Sequence, residues 1–316
     1  MNGKKVSIIG AGNVGATIAY ALAMRGSVSE IVLRDLNTDR ANAMTLDISQ
    51  SANALNTSTI VKMGNNPEDL AGSDIVVITA GSPRLPGMSR NDLLLTNAKI
   101  TRAVINDIKT HAPDAIIIPV SNPLDAIVYV ALKETGFDKS KIIGMAGILD
   151  SARMSHFIQE KLGYGSGQIT ASVMGGHGDT MVPLPNYSNV AGVPITELLS
   201  KEEIDEIVEK TKNGGAQIVE YLKNGSAYYA PAQSTCIMIE AILNDTKQVF
   251  PCAVMLDGEY GYENVVSGVP VMLGANGAEK VMELELTKEQ SDQFAKSVAS
   301  VQELIDALYE NNFFEK

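Results

Sequence analysis

With 316 residues and 45% apolar content, the chain has enough material for one large domain or two moderate ones, each with a real core. Its 25 basic against 37 acidic residues leave a net charge of −12, so it has no electrostatic basis for holding nucleic acid or an anionic membrane face, and any anionic ligand has to be gripped by local arginines. Two cysteines, Cys236 and Cys252, make neither a disulfide framework nor a metal site; no metal is expected, and both thiols read as space-filling in a reduced compartment.

Lys4-Lys5 and the uncharged stretch 6–24 mimic an export signal. Gly10, Gly12, Asn13 and Gly15 would interrupt any continuous apolar helix there, whereas a strand, a turn and a helix account for all four, so the expected location is cytoplasmic. Short β-branched runs follow at 6–9, 31–33, 59–62, 75–80, 115–120 and 141–145, and read as strands buried on both faces. Helical stretches lie between them at 14–24, 39–54, 91–111 and 123–135. This alternation predicts an α/β fold with a parallel, doubly wound sheet and right-handed crossovers.

Near residue 147 the pattern changes. A helix at 151–162 leads into 168–174, then Gly/Pro-rich loops, then two long helical zones. Ser200-x-x-Glu203 is a capping box opening one, and Thr287-x-x-Gln290 opens the last. In that last helix Phe294, Val298, Val301, Leu304 and Leu308 recur at helical spacing, which predicts one face packed on the body.

The chemistry-bearing motifs sit at strand ends. Gly10-Ala11-Gly12-Asn13-Val14-Gly15 follows the first strand and opens a helix. Its glycines allow a tight turn, close approach of a pyrophosphate and close packing of helix on strand. Asp35, twenty residues beyond Gly15 at the end of the next strand, can accept from ribose hydroxyls and repel a 2′-phosphate, which favours NAD over NADP. Arg34 beside it qualifies that preference, because a guanidinium there can meet a phosphate. The segment Ala80-Gly81-Ser82-Pro83-Arg84-Leu85-Pro86-Gly87-Met88-Ser89-Arg90 places two arginines on a loop at the ligand-binding edge, where closure can exclude water. Val120-Ser121-Asn122-Pro123 ends another strand at that edge; Asn122 is there either to donate to a ligand oxygen or to cap the next helix. Asp150 and Arg153 share a helix face at i, i+3. His177, one of three histidines, lies in Met174-Gly175-Gly176-His177-Gly178-Asp179, where backbone and a small ligand can approach closely. A histidine held by a carboxylate moves protons near neutral pH, and an arginine nearby can grip a carboxylate substrate.

Taken together in this order, GAGNVG, Asp35, PRLPGMSR, VSNP, GILDSAR, GGHGD and Gly225-Ser226-Ala227-Tyr228-Tyr229-Ala230-Pro231-Ala232 resemble the lactate/malate dehydrogenase family over essentially the whole chain, and within it the lactate-dehydrogenase-like malate dehydrogenases. The resemblance implies a Rossmann NAD-binding domain at 1–146 followed by an α+β catalytic domain at 147–316, and a tricarboxylic-acid-cycle oxidoreductase acting on malate and oxaloacetate. It implies His177 as the proton acceptor, Asp150 as its orienting partner, Arg153 on the substrate C1 carboxylate and Arg90 on the closing loop polarising the carbonyl. It further implies Arg84 at the position that selects malate over lactate and Asn122 on the substrate oxygen. The glycine loop, Asp35, Asn97, Val120, Ser121 and Asn122 would line the cofactor. A homodimer or homotetramer is expected. The alternatives are an L-lactate dehydrogenase or, in a different class, a non-catalytic NAD-binding protein; retention of His177, Asp150, Arg153 and Arg90 together argues against the latter.

Overall fold

The parallel sheet is present in the computed structural model, which describes residues 3–83 and 87–314. Strands β1 (Lys5–Ile9), β2 (Glu30–Arg34), β3 (Ile60–Met63), β4 (Ile75–Ile78) and β5 (Ile116–Pro119) lie in the order β3-β2-β1-β4-β5, and every pairing is parallel. Val6 stands between Ile31 and Ile75 in register, and all four residues of β4 and of β5 are buried, as apolar runs between two helical layers require. Helices α1 (Asn13–Arg25), α2 (Thr38–Ala54) and α3 (Arg90–His111) make three of the crossovers, a 3₁₀ turn at Pro67–Leu70 links β3 to β4, and α4 (Leu124–Thr135) leads out of β5. The chain leaves β1 in one direction toward β3 and returns to its other side at β4. The loops after β1 and β4 therefore diverge, opening a crevice at the carboxyl ends of the strands.

The expected sixth strand at 141–145 does not form as such. Its two edges serve different partners: Ile143 N donates to Ile117 O (3.0 Å) on the parallel side, while Gly144 exchanges bonds of 2.8 and 3.0 Å with Ala253 on the other. The segment is a junction between two sheets rather than a member of one. The next helix, α5 (Gly147–Leu162), starts four residues before the expected 151. No side chain caps it, so the polar start signal sought in the sequence is absent, and Leu149 and Asp150 already lie in its first turn.

Beyond α5 come short pairings β6 (Ile169–Thr170), β7 (Val173–Met174), β8 (Val182–Pro183), β9 (Asn189–Val190) and β10 (Val193–Pro194), then α6 (Ile195–Leu198), α7 (Lys201–Leu222) and α8 (Tyr229–Leu243). A three-stranded antiparallel meander, β11 (Gln248–Asp257), β12 (Glu263–Gly274) and β13 (Gly277–Val281), precedes α9 (Lys288–Glu310). This meander escaped the sequence reading because each of its long strands contains a proline, a residue that argues against an interior strand. The two prolines, Pro251 and Pro270, face each other across the ladder. Both capping boxes form, with Glu203 N on Ser200 Oγ (3.3 Å) and Gln290 N on Thr287 Oγ1 (3.2 Å). The expected stripe of α9 is buried from Phe294 to Leu308, and one apolar core continues from β1 through α1, α8 and β11 to α9. A smaller core of Met154, Ile158, Ile195, Ile204 and Ile207 lies beneath α7. Cys236 and Cys252 are free and buried, and burial pushes the Cys236 thiol up to about 12. Among the described residues no helix is long and apolar enough to cross a membrane.

Candidate active site

The glycine loop joins β1 to α1 in a form that only glycine permits at two points. Gly10 has φ +114°, and a Cβ on Gly15 would collide with the Gly10 carbonyl oxygen. Gly12, at the N-cap of α1, faces open space, and α1 has neither a side-chain cap nor an acidic residue in its first turn. Its first amides therefore lack an internal partner and present partial positive charge to the crevice, which is where a pyrophosphate fits. Asp35 holds this loop, accepting from Ala11 N at 2.6 Å and from Asn37 N at 2.8 Å. Arg40, which the sequence reading passed over, braces the same loop from α2 through Ala11 O (2.9 Å) and Asn13 Oδ1 (3.1 Å). Arg34 turns away to Asp107 at 2.6 Å, so the guanidinium expected to meet a 2′-phosphate is already paired.

On the far side of the crevice, Asp150 serves two cations. Its Oδ2 lies 2.9 Å from His177 Nδ1 and its Oδ1 accepts from Arg153 Nη1 at 3.0 Å, with the carboxylate almost fully buried. The helical i, i+3 spacing brings Arg153 to Asp150, and tertiary structure brings His177 to both. Gly175, with φ +83°, exchanges backbone bonds of 2.7 and 3.2 Å with Gly268 of β12, where a Cβ would strike the Gly175 carbonyl. Gly176 N donates to Ser297 Oγ of α9 (2.7 Å), and His177 N donates to Asp125 Oδ2 of α4 (2.9 Å). Four elements thus hold one imidazole. Nδ1–H points at Asp150, leaving Nε2 with no partner among the described residues and available to a substrate. Burial acts to lower the His177 pKa, but the charge and hydrogen bond of Asp150, helped by Asp125, outweigh it and hold the ring above its ordinary value.

The remaining expected residues line the edge between these two sides. Asn97 is buried on α3, with Oδ1 accepting from Ser82 N (2.7 Å) and Nδ2 donating to Ser82 O (3.1 Å) and Asn122 O (2.6 Å). Its amide clamps the ends of two strand loops together. Val120 N continues the ladder to Ile78 O, and Ser121 Oγ donates to Ala80 O at 2.7 Å. The Asn122 side chain does not cap α4, whose N-cap is Pro123 after a cis peptide, so of its two readings the cap is excluded. Arg90 is not on the loop proper but is the first residue of α3, behind a capping box of Ser89 and Asp92. Its side chain is exposed, with no hydrogen-bonding or ionic partner among the described residues. Arg84 lies outside the described residues. Sequence reasoning missed Asp125, Ser297 and Gly268. For Asp125 a signal existed, a carboxylate in the otherwise apolar run Leu124 to Leu132.

Family models match both halves of the chain: the lactate/malate dehydrogenase NAD-binding domain matches residues 4–144, and the α/β C-terminal domain of the same family matches 148–311. The chain belongs to the lactate/malate dehydrogenase family. As a member it is an NAD-dependent oxidoreductase. A malate dehydrogenase of Sulfurimonas denitrificans is 65% identical over 314 residues, covering 99% of this chain and 98% of that one. The crystal structure of Cryptosporidium parvum malate dehydrogenase superposes with a TM-score of 0.94 at 39% identity, covering 97% of this chain and 99% of that one. A Cryptosporidium parvum lactate dehydrogenase, solved with lactic acid and nicotinamide adenine dinucleotide, also reaches 0.94, at 36% identity and 98% of both chains. Backbone shape therefore does not separate the two substrates within this family.

Proposed function

We propose that the chain is a malate dehydrogenase, catalysing reversible oxidation of (S)-malate to oxaloacetate. The observation that carries this reading is the buried Asp150 carboxylate, bonded at once to His177 Nδ1 and to Arg153. NAD, when bound in the crevice, would supply the acceptor for the hydride leaving the substrate carbon. The protein's own part is the proton and the alignment. His177 Nε2 takes the hydroxyl proton, and Asp150 stabilises the imidazolium so formed. Arg153, beside that pair on α5, binds the carboxylate next to the reacting carbon, bidentately. Arg90 at the start of α3 polarises the carbonyl oxygen, and Asn122, its carbonyl held by Asn97, donates to the same oxygen. Asp35, which holds Ala11 N, would accept from the adenosine ribose, and the uncapped start of α1 would hold the pyrophosphate.

Malate rather than lactate is supported by Arg84 and by the names of the relatives. Oxaloacetate carries one carboxylate more than pyruvate, and burying it without a partner would cost several kcal/mol. We place the domain boundary at residue 147: the cofactor groups lie before it together with Arg84, Arg90 and Asn122, and Asp150, Arg153 and His177 lie after it. We further assign a homodimer or homotetramer, supported by exposed Tyr20 on α1, Leu46 on α2, Leu55 just after α2, and Tyr221 and Leu222 on α7, and a cytoplasmic location, supported by the two free thiols.

The test is His177→Asn. NADH binding, followed by fluorescence, should persist, while oxaloacetate-dependent NADH oxidation falls by about 10²–10⁴-fold. Near-native turnover in that variant would sink the reading.

A further inference from the structure

Among the described residues the mechanism above leaves one buried carboxylate without a task. Asp125, in the first turn of α4, is 4% exposed; its Oδ2 accepts the His177 backbone N–H at 2.9 Å, and its Oδ1 is buried with no partner among the described residues. We propose that Asp125 is a positioning residue for proton transfer at His177, fixing the ring's backbone by one oxygen and favouring the protonated ring by its charge.

An asparagine in place of Asp125 could accept the same amide without the penalty of burying a charge. A carboxylate adds only its charge, placed behind the one ring that gains and loses a proton. Among the described residues the surrounding groups leave that charge no other counter-ion. On α5 stand Asp150, which repels it, and Arg153, which is bonded to Asp150. The loop brings His177 itself, and α9 contributes Ser297 and Val301, both uncharged, against Gly176. Burial, opposed by the His177 amide bond and the His177 charge, pushes the Asp125 carboxyl up to about 6. It is then ionised in the range where a raised His177 titrates, and the imidazolium lies between two carboxylates, one on its Nδ1 and one behind its backbone.

This inference rests on the assignment of His177 as the proton acceptor, and the test separates the two. Asp125→Asn and Asp125→Ala are compared with wild type by the pH dependence of kcat/KM for oxaloacetate reduction, with NADH fluorescence confirming the folded cofactor site. The limb on which activity falls as His177 deprotonates should move to lower pH by about one unit in both variants. Asparagine, which keeps an acceptor for the His177 N–H, should retain about tenfold more kcat than alanine, as leaving that buried donor unpaired predicts. An unmoved limb in Asp125→Asn overturns the proposal, and so does equal kcat in the two variants. In the wild-type protein, NMR titration of the His177 ring should show a lower inflection at about 6, where Asp125 takes up its proton, as well as the ring's own. A single inflection also overturns it, whether or not the variants fold. If His177→Asn keeps turnover, the dehydrogenase assignment itself fails; if that variant is inactive and the Asp125→Asn limb stays in place, only the role of Asp125 does.

Discussion

Asp150→Asn is the sharpest perturbation of this site, because one atom change meets two cations. The wild-type carboxylate accepts from His177 Nδ1 at 2.9 Å and Arg153 Nη1 at 3.0 Å, and its side chain is 2% exposed. An asparagine has one accepting oxygen and one donating NH₂. If its oxygen faces His177, the NH₂ opposes the Arg153 donor, and the arginine leaves the geometry that grips the substrate. If its oxygen faces Arg153, the NH₂ donates to Nδ1, the ring's proton moves to Nε2, and that atom no longer accepts from the substrate hydroxyl. Either way the imidazolium loses the buried counter-charge at its Nδ1. Removing one partner of such a pair costs about 3–5 kcal/mol, which at about 1.4 kcal/mol per tenfold corresponds to about 10²–10⁴ in turnover. The His177 limb of the pH profile should move to lower pH, since Asp150 is the chief group raising that pKa. The assay is absorbance of the reduced cofactor in both directions. With cofactor affinities unchanged, kcat/KM for malate and for oxaloacetate must fall by the same factor at any one pH, because the variant cannot alter the reaction's equilibrium constant. More than a tenth of wild-type turnover, with the pH profile in place, would refute the pairing as the source of catalysis.

Three further outcomes follow from the same geometry. Arg84→Gln removes the cation expected to meet the second carboxylate of oxaloacetate, so kcat/KM for oxaloacetate should fall by about 10²-fold or more while that for pyruvate rises; if Arg90→Gln shifts the ratio instead, the two arginine roles are exchanged. Asp35→Ser should weaken NADH use by about ten- to a hundredfold yet raise NADPH use little, since Arg34 stays with Asp107, and only the double variant with Asp107→Asn should release it; equal NADPH efficiency in single and double variants would mean that Arg34 has no reach to the phosphate. The folded-state Asp125 pKa of about 6 lies above its ordinary 3.8, so the folded protein binds the extra proton between those values and loses up to about 3 kcal/mol as pH rises through them. The difference in Tm between Asp125→Asn and wild type should therefore grow in the variant's favour from pH 4 to pH 7, and a flat difference would show Asp125 ionised at its usual pKa.

Much of the cofactor half was legible because its signals are local. A glycine needed at φ +114°, another with no room for a Cβ, and a carboxylate closing the next strand are demands of neighbouring atoms, and each can be read from a few residues. Where local signals mislead, the cause is physical too. The segment 141–145 is β-branched and strand-like, but its two edges hydrogen-bond to different sheets, a division set by β11 and invisible from its own sequence. The start of α5 was placed late because the helix has no polar cap to announce it.

The catalytic half shows where reading along the chain stops. The Asp150–Arg153 pair is helical spacing and could be foreseen from sequence; its meeting with His177 could not be foreseen without the family resemblance. That meeting depends on Gly268, which admits the Gly175 carbonyl to β12, on Ser297 from α9 and on Asp125 from α4. None of these residues lies near His177 in sequence, and each on its own is an ordinary glycine, hydroxyl or helix-start carboxylate. The meander that carries Gly268 was itself hidden by Pro251 and Pro270. His177 is thus recognisable by its glycines, but its position and protonation are set by groups contributed from four separate elements. Substitutions at those supports should therefore move the pH profile of the reaction before they abolish it, whereas substitutions at His177 or Asp150 remove the reaction directly.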